Sequence, residues 1–157
     1  MSELISHHRG IIRLHFEQTA QKYLQVSHQI HARPELGNQE YFAAETLTDL
    51  LRDAGFTVTR DIAGHETGFV AHKGSANSGP RIGYLAEYDA LPGLGHACGH
   101  NLIGTSSVAA AIALSHVRGS DGERCGYLAH RRRRGALTAV PKAALRMRAY
   151  LMVLMLR

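Results

Sequence analysis

The chain has 157 residues, of which 45% are hydrophobic and 20% charged, so its length and composition favour one globular domain and exclude a disordered or collagen-like chain. No window holds the roughly 18 uninterrupted apolar residues of a membrane span, and two cysteines give no disulfide framework, so we expect a cytoplasmic protein. The net charge of +5 is unevenly distributed along the chain. Residues 1–117 carry 8 Lys/Arg and 11 Asp/Glu, whereas residues 118–157 carry 10 Lys/Arg and 2 Asp/Glu.

Two helices are predicted in the first third of the chain. Apolar residues at helical spacing indicate an amphipathic helix over residues 14–31, which Pro34 brings to an end. A second helix is predicted over residues 40–54, where alanines and leucines recur every three to four positions. Gly55 follows at the place where a left-handed helix terminator is expected.

Strands and a third helix are predicted between residues 56 and 114. Near-alternating apolar residues over 56–62, the stretch 68–72 and the apolar run 82–85 indicate three strands. Small apolar residues over 102–114 suit a helix packed closely against a sheet. Beyond Val117 this patterning weakens, with a basic run at 131–134 and an apolar cluster at 151–156. We therefore place a domain boundary there: residues 1–117 form the globular part and 118–157 a poorly ordered basic tail.

The stretch 87–101 contains most of the reactive side chains and lies between a predicted strand and a predicted helix. Ligands gather at the carboxyl ends of strands in open α/β sheets, so a site is expected here. Its candidate residues are Glu87, Asp89, His96, Cys98 and His100. Thiolate and imidazole donors suit Zn²⁺ or a similar ion, and Gly99 allows Cys98 and His100 to converge. The alternative for this pair is a buried thiol beside an incidental histidine.

Three segments of the sequence resemble one family of enzymes. Residues 87–101 are similar to the signature of the aminoacylase and carboxypeptidase group of metallohydrolases, peptidase family M-twenty. Within that family the sequence resembles the branch of aminobenzoyl-glutamate hydrolases, N-acyl-amino-acid amidohydrolases and related dipeptidases. Residues 31–37 with Glu40, and residues 67–71 leading to 81–83, resemble the same branch. The resemblance is collinear from about residue 14 to residue 114.

The resemblance implies a fold, a cofactor and a substrate class. The fold is an α/β metallopeptidase catalytic domain with helix, sheet and helix layers, here truncated and without the lid or dimerisation domain through which relatives dimerise. The cofactor is a divalent metal ion, with Zn, Mn, Co and Ni all compatible with the donors. The substrate is a small-molecule amide or dipeptide, with neither nucleic acid nor a membrane as partner.

The resemblance also implies roles for individual residues. Cys98 and His100 would be metal ligands, and Asp89 would be a carboxylate that orients a ligand. Further contacts to ligands or substrate are expected from Glu87, His96 and Asn101. For His96 a loop position facing solvent is equally compatible, and Asn101 stands where many relatives have Asp. The family's general-base glutamate, in a Gly-Thr-Pro-Ala-Glu-Glu-Gly-like stretch, has no counterpart in this sequence, so little or no turnover is expected.

The tail is compatible with a shifted reading frame. Codons permitted for residues 128–136 regroup to encode Gly-Thr-Pro-Ala-Glu-Glu-Gly-Gly, which is the missing stretch. We therefore hypothesise a frame slip near residues 117–119, which the encoding nucleotides would test. Two alternatives remain open: a noncatalytic metal-binding fragment, and a basic arm that binds nucleic acid or an anionic membrane surface through residues 131–134.

Overall fold

Helices and strands alternate along the chain. The computed structural model describes residues 2–62, 64–74, 78–117 and 123–129, so the basic run at 131–134 and the apolar cluster at 151–156 lie outside the described residues. In chain order the described elements are α1 (Ser2–Ala32), α2 (Tyr41–Asp53), β1 (Thr57–Ile62), β2 (His65–Lys73), β3 (Ser78–Ala86), α3 (His100–Val117) and β4 (Glu123–Ala129). No helix in this part of the chain is long and apolar enough to cross a membrane.

Helix α1 is longer than its sequence pattern predicts. It begins at Ser2 rather than near residue 14, and its 31 residues correspond to a length of about 46 Å. Its buried core residues, Tyr23, Val26 and Ile30, lie in its second half, and the partly buried Phe16 packs against the same core. Leu4 and Ile5 remain exposed in its first turns. The amphipathic pattern therefore marks the packed part of the helix and not its full extent.

Helix α2 matches its prediction, and both of its ends are explained by hydrogen bonds. The carboxylate of Glu35 accepts hydrogen bonds from the backbone N–H groups of Phe42 and Ala43, each at 3.0 Å, which satisfies two otherwise unpaired donors. At the other end, Gly55 has a φ of +80° and its N–H donates to the carbonyl of Arg52 at 2.9 Å. This is the left-handed termination that the glycine predicts.

The strands form one mixed sheet in the order β1-β2-β4-β3. The β1–β2 and β2–β4 pairs are antiparallel, and the β3–β4 pair is parallel. Phe69 and Ala71 of β2 are fully buried among residues of the three helices. On the opposite face Leu85 is 42% exposed, and no described helix covers it. The α/β class is therefore confirmed, and the described helices supply one of the two expected helical layers.

Strand β4 lies in the segment that the sequence assigns to the tail. Residues 123–129 lie within the segment expected to be poorly ordered, yet they form the strand that joins β2 to β3. A central strand hydrogen-bonds with a neighbour on each side, and this backbone pairing does not require a strong side-chain pattern. The boundary at residue 117, the poor order of the tail and the shifted frame stay predictions.

Candidate functional site

The candidate site lies in the loop between the end of β3 and the start of α3. The N–H of Ala90 donates to the carbonyl of Glu35 at 2.7 Å, and Leu36 forms a parallel bridge with Ala90. Residues 91–95 then form a tight turn, in which the N–H of Leu91 and the carbonyl of Gly95 are 2.8 Å apart. The segment 31–37 thus supports the loop that contains the reactive side chains.

His100 lies between two carboxylates at the start of α3. Its Nδ1 is 2.8 Å from Oδ1 of Asp89, and its Nε2 is 3.0 Å from Oε2 of Glu87. All three side chains are partly buried, with 17% of His100, 15% of Asp89 and 32% of Glu87 exposed. The N-terminal end of a helix favours nearby negative charge, so α3 stabilises both carboxylates. The sequence named all three residues, and the structure brings them together.

Tyr88 anchors the backbone between the two carboxylates. It is buried, its hydroxyl donates to the carbonyl of Thr67 at 2.6 Å, and its ring stacks on Phe69 with centroids 5.8 Å apart. Burial, with a further contribution from the charge of Glu40, raises the pKa of Tyr88 far above its usual value, so the phenol stays protonated and remains a donor. Tyr88 faces the core, and its neighbours Glu87 and Asp89 both contact His100. Sequence analysis did not identify this anchor.

Gly104 is a second residue that the sequence analysis missed. A Cβ atom at this position would lie 3.2 Å from the carbonyl oxygen of Glu87, from Cβ of Tyr88 and from Cδ1 of Leu47. Helix α3 can therefore approach the end of β3 only because residue 104 has no side chain. Glycine is unfavourable inside a helix, and its presence there was the available sign that a close contact required it.

Cys98 is exposed, whereas Glu87, Asp89 and His100 are partly buried. Within the described ranges, no group of three or more His, Cys, Asp or Glu side chains could hold a metal ion. Ligation by Cys98 together with His100 stays a prediction.

His96 does not face solvent, which removes one of the two interpretations of this residue. Only 6% of it is exposed, and neither ring nitrogen has a hydrogen-bond partner of good geometry among the described residues. Its ring centroid lies 6.1 Å from that of His31. Burial and then the proximity of His31 lower the pKa of His96, while the carbonyl of Ile30 acts in the opposite direction. A contact with ligand or substrate remains a prediction.

Asn101 faces helix α1. Its side-chain nitrogen donates to the hydroxyl of Ser27 at 3.0 Å, and the whole residue is buried. A buried amide needs such a partner, so this bond fixes α3 against α1. The structure therefore places the Asn101 amide in a helix–helix contact, whereas the sequence placed it among possible site residues.

No family model matches the chain. One chain of the p-aminobenzoyl-glutamate hydrolase of Escherichia coli is 40% identical over 115 residues, a match that covers 62% of this chain and 24% of that protein. The Xaa-Arg dipeptidase of Mus musculus is 39% identical over 62% of this chain and 25% of its own length. The hippurate hydrolase of Campylobacter jejuni is 34% identical, in a match that covers 60% of this chain and 28% of that protein. The chain thus spans about a quarter of these relatives.

Solved structures show the same fold. A dinuclear metal-binding peptidase of family M-twenty from Bacillus subtilis superimposes with a TM-score of 0.60 and 24% identity, covering 71% of this chain and 35% of that one. The aminobenzoyl-glutamate utilization protein of Klebsiella pneumoniae gives a TM-score of 0.57 and 18% identity. This match covers 74% of this chain and 38% of that one. Sequence and fold together confirm the predicted resemblance.

Proposed function

We propose, on the premise that this chain is homologous to part of the M-twenty hydrolases, that it contains the first metal-binding segment of a divalent-metal-dependent amidohydrolase. The observation that carries the proposal is the position of His100 between Asp89 and Glu87, at 2.8 and 3.0 Å. A histidine that ligates a metal commonly donates its other ring N–H to a carboxylate, which is the arrangement that Asp89 offers.

The arrangement supports a separate role for each ring nitrogen of His100. With a metal ion bound, Nδ1–H would donate to Asp89 and Nε2 would be the ligand atom, with Glu87 beside it. A divalent ion bound there would polarise an amide carbonyl and lower the pKa of a bound water to about 7. Asp89 would keep the ring in one tautomer and one orientation, and Glu87 would offer a carboxylate oxygen beside it.

Cys98 is the proposed second protein donor. It is exposed and two residues from His100, and Gly99 between them has a φ of +78°, a conformation that other residues rarely adopt. A thiolate beside an imidazole would favour Zn²⁺, and Mn²⁺, Co²⁺ and Ni²⁺ remain compatible.

The proposed substrates are amides of amino acids. The names of the relatives describe hydrolysis of aminobenzoyl-glutamate, of hippurate and of Xaa-Arg dipeptides. These compounds share an amide bond to an amino acid with a free carboxylate, so we assign this chemical class to the whole protein. A cytoplasmic location is part of the proposal and rests on the absence of a disulfide framework.

We further propose that this chain alone has little or no turnover. Its sequence contains no counterpart of the family's general-base glutamate, and loss of general-base catalysis typically costs about 10²–10⁴-fold in rate. In this chain the proposed site would therefore bind a metal ion without catalysing hydrolysis. The basic-arm alternative concerns residues outside the described ranges and predicts steeply salt-dependent DNA binding.

The test combines zinc titration with an amidase assay. Calorimetric titration of the wild-type chain is expected to show binding that His100→Gln abolishes and Cys98→Ser weakens. His65→Gln is the control, because His65 is an exposed histidine away from the loop whose ring pairs with Asn38. Equal zinc affinity in wild type and His100→Gln would overturn the metal site. Amide hydrolysis should appear only when the chain is extended in the restored frame, and hydrolysis by the present chain would contradict the proposed inactivity.

A further inference from the structure

His96 is a buried imidazole with two unpaired nitrogens. Both ring nitrogens are closed to solvent, and neither has a hydrogen-bond partner of good geometry among residues 2–62, 64–74, 78–117 and 123–129; the backbone carbonyl of Ile30 is only a weak neighbour. Burying polar atoms without partners costs about 1–3 kcal/mol for each group, and such groups in folded proteins are generally explained by a bound water or ion. The side chain therefore points to a ligand that occupies this position.

A second imidazole lies beside it. His31 stands in the last turn of α1, is exposed, and has its ring centroid 6.1 Å from that of His96 with the planes inclined by 31°. Two imidazoles that ligate one ion through metal–nitrogen bonds of about 2.1 Å have centroids roughly 5–6.5 Å apart. The spacing of His31 and His96 falls within that range.

The surroundings favour a cation over an anion. The two histidines lie at the carboxyl end of α1, where the helix dipole and the last carbonyl groups provide negative potential. Burial and then the proximity of His31 lower the pKa of His96, whereas the carbonyl of Ile30 and the carboxylate of Asp89 act in the opposite direction. The carbonyl groups at the end of α1 and the carboxylate of Asp89 would repel a carboxylate or phosphate ligand. Neutral imidazoles, by contrast, bind Zn²⁺, Cu²⁺, Ni²⁺ and Co²⁺ well.

We propose that His31 and His96 bind one divalent transition-metal ion in a site separate from that of His100. The site joins the end of α1 to the loop before α3, so the ion would cross-link two segments that are 65 residues apart in the chain. Water would complete the coordination on the exposed side of His31.

The other close histidine pair differs from this one. The rings of His15 and His116 are 4.8 Å apart, but Nε2 of His15 already contacts the hydroxyl of Tyr23 at 2.9 Å. That imidazole has a side-chain partner of good geometry, whereas His96 has none of good geometry among the described residues. The unpaired nitrogens therefore distinguish the His31–His96 pair.

The experiment titrates Zn²⁺ into the full 157-residue chain carrying Cys98→Ser and His100→Gln, which removes the first proposed site. In that background His31→Gln is expected to weaken the tightest remaining zinc binding by about tenfold or more, a loss typical of disturbed metal sites. His28→Gln is the matched control, because His28 is exposed on the same helix. Zinc should also shift the ring ¹⁵N resonances of His96.

Unchanged zinc affinity in His31→Gln relative to His28→Gln would overturn the proposal, as would ring resonances of His96 that do not respond to zinc. Because His31 is exposed, its substitution leaves the core intact, so this arm does not depend on whether a variant at His96 folds. Loss of all binding in the Cys98→Ser, His100→Gln background would support the first site and exclude the second. The two proposals can therefore fail independently.

Discussion

At the scale of single residues, the candidate site depends on which atoms His100 contacts. Asp89 occupies one ring nitrogen and Glu87 the other, so each carboxylate has a separate effect on the imidazole. In the proposed site Asp89 would orient the ring through Nδ1, and Glu87 lies beside Nε2, the proposed ligand atom. Substitutions that keep the shape of a carboxylate but remove its charge distinguish these effects.

Asp89→Asn is expected to weaken zinc binding about 10–100-fold, the usual effect of losing a carboxylate that orients a histidine ligand. An amide in place of the carboxylate can present its NH₂ group to Nδ1, which favours the wrong tautomer of His100. Competition against a chelating dye measures the affinity, and thermal unfolding without metal checks the fold. Affinity equal to wild type would show that Asp89 does not orient His100.

His15 makes the stability of the chain depend on pH. Burial and then the nearby His116 lower the pKa of His15 below 6.5 in the folded state. The unfolded chain therefore binds more protons between the two pKa values, and the contribution of His15 to stability is present above pH 6.5 and is lost as pH falls through the folded pKa. Urea unfolding at pH 7.5 and pH 5 should show this loss, and His116→Gln should reduce it. An equal loss in that variant would contradict the role of His116.

At the scale of elements, α3 connects the site to the core. Its first residue is His100, its second residue Asn101 bonds to Ser27 of α1, and Gly104 lies against the backbone of Glu87. One turn of helix thus combines the site, a helix–helix bond and the closest approach to the sheet. A small displacement of this turn changes all three contacts together.

Gly104→Ala is expected to destabilise the chain by about 1–3 kcal/mol, because the added methyl group meets backbone and packed side chains at 3.2 Å. Gly10→Ala is the matched control: Gly10 is also in a helix, a Cβ there meets nothing within 4 Å, and alanine should stabilise α1 by about 0.5–1 kcal/mol. Denaturant unfolding measures both. Equal effects of the two substitutions would show that a methyl group at residue 104 does not disturb the packing of α3.

At the scale of the whole molecule, β4 holds the sheet together. Strands β2 and β3 do not neighbour each other in the sheet order, and each pairs with β4 instead. The parallel β3–β4 pair is connected through α3, so the strand that follows the predicted boundary completes the support of the site. The uncovered face of the same sheet exposes Leu85, and apolar surface of this kind favours association between molecules.

A chain that ends at residue 117 is therefore expected to lose cooperative unfolding, whereas a chain that ends at residue 129 should retain it. The shorter chain leaves β3 without its strand neighbour, and an isolated β1–β2 hairpin is marginally stable. Near-ultraviolet circular dichroism during thermal unfolding compares the two. A cooperative transition in the shorter chain would show that β4 is dispensable.

The sequence alone determined much about this protein. Periodicity was sufficient for α2 and the first three strands, Gly55 marked the end of α2, and the composition of residues 87–101 identified the loop that contains the site. These features are local, because helix and strand patterns repeat over a few residues and chemically reactive residues were close together in the chain.

Only the tertiary structure decided the partners of these residues. It placed Glu87 and Asp89 on opposite nitrogens of His100, buried His96 beside His31, and turned the Asn101 amide toward α1. It also inserted β4 between β2 and β3. Such contacts join segments far apart in sequence, and they depend on how helices and strands pack against one another rather than on any pattern within a single segment.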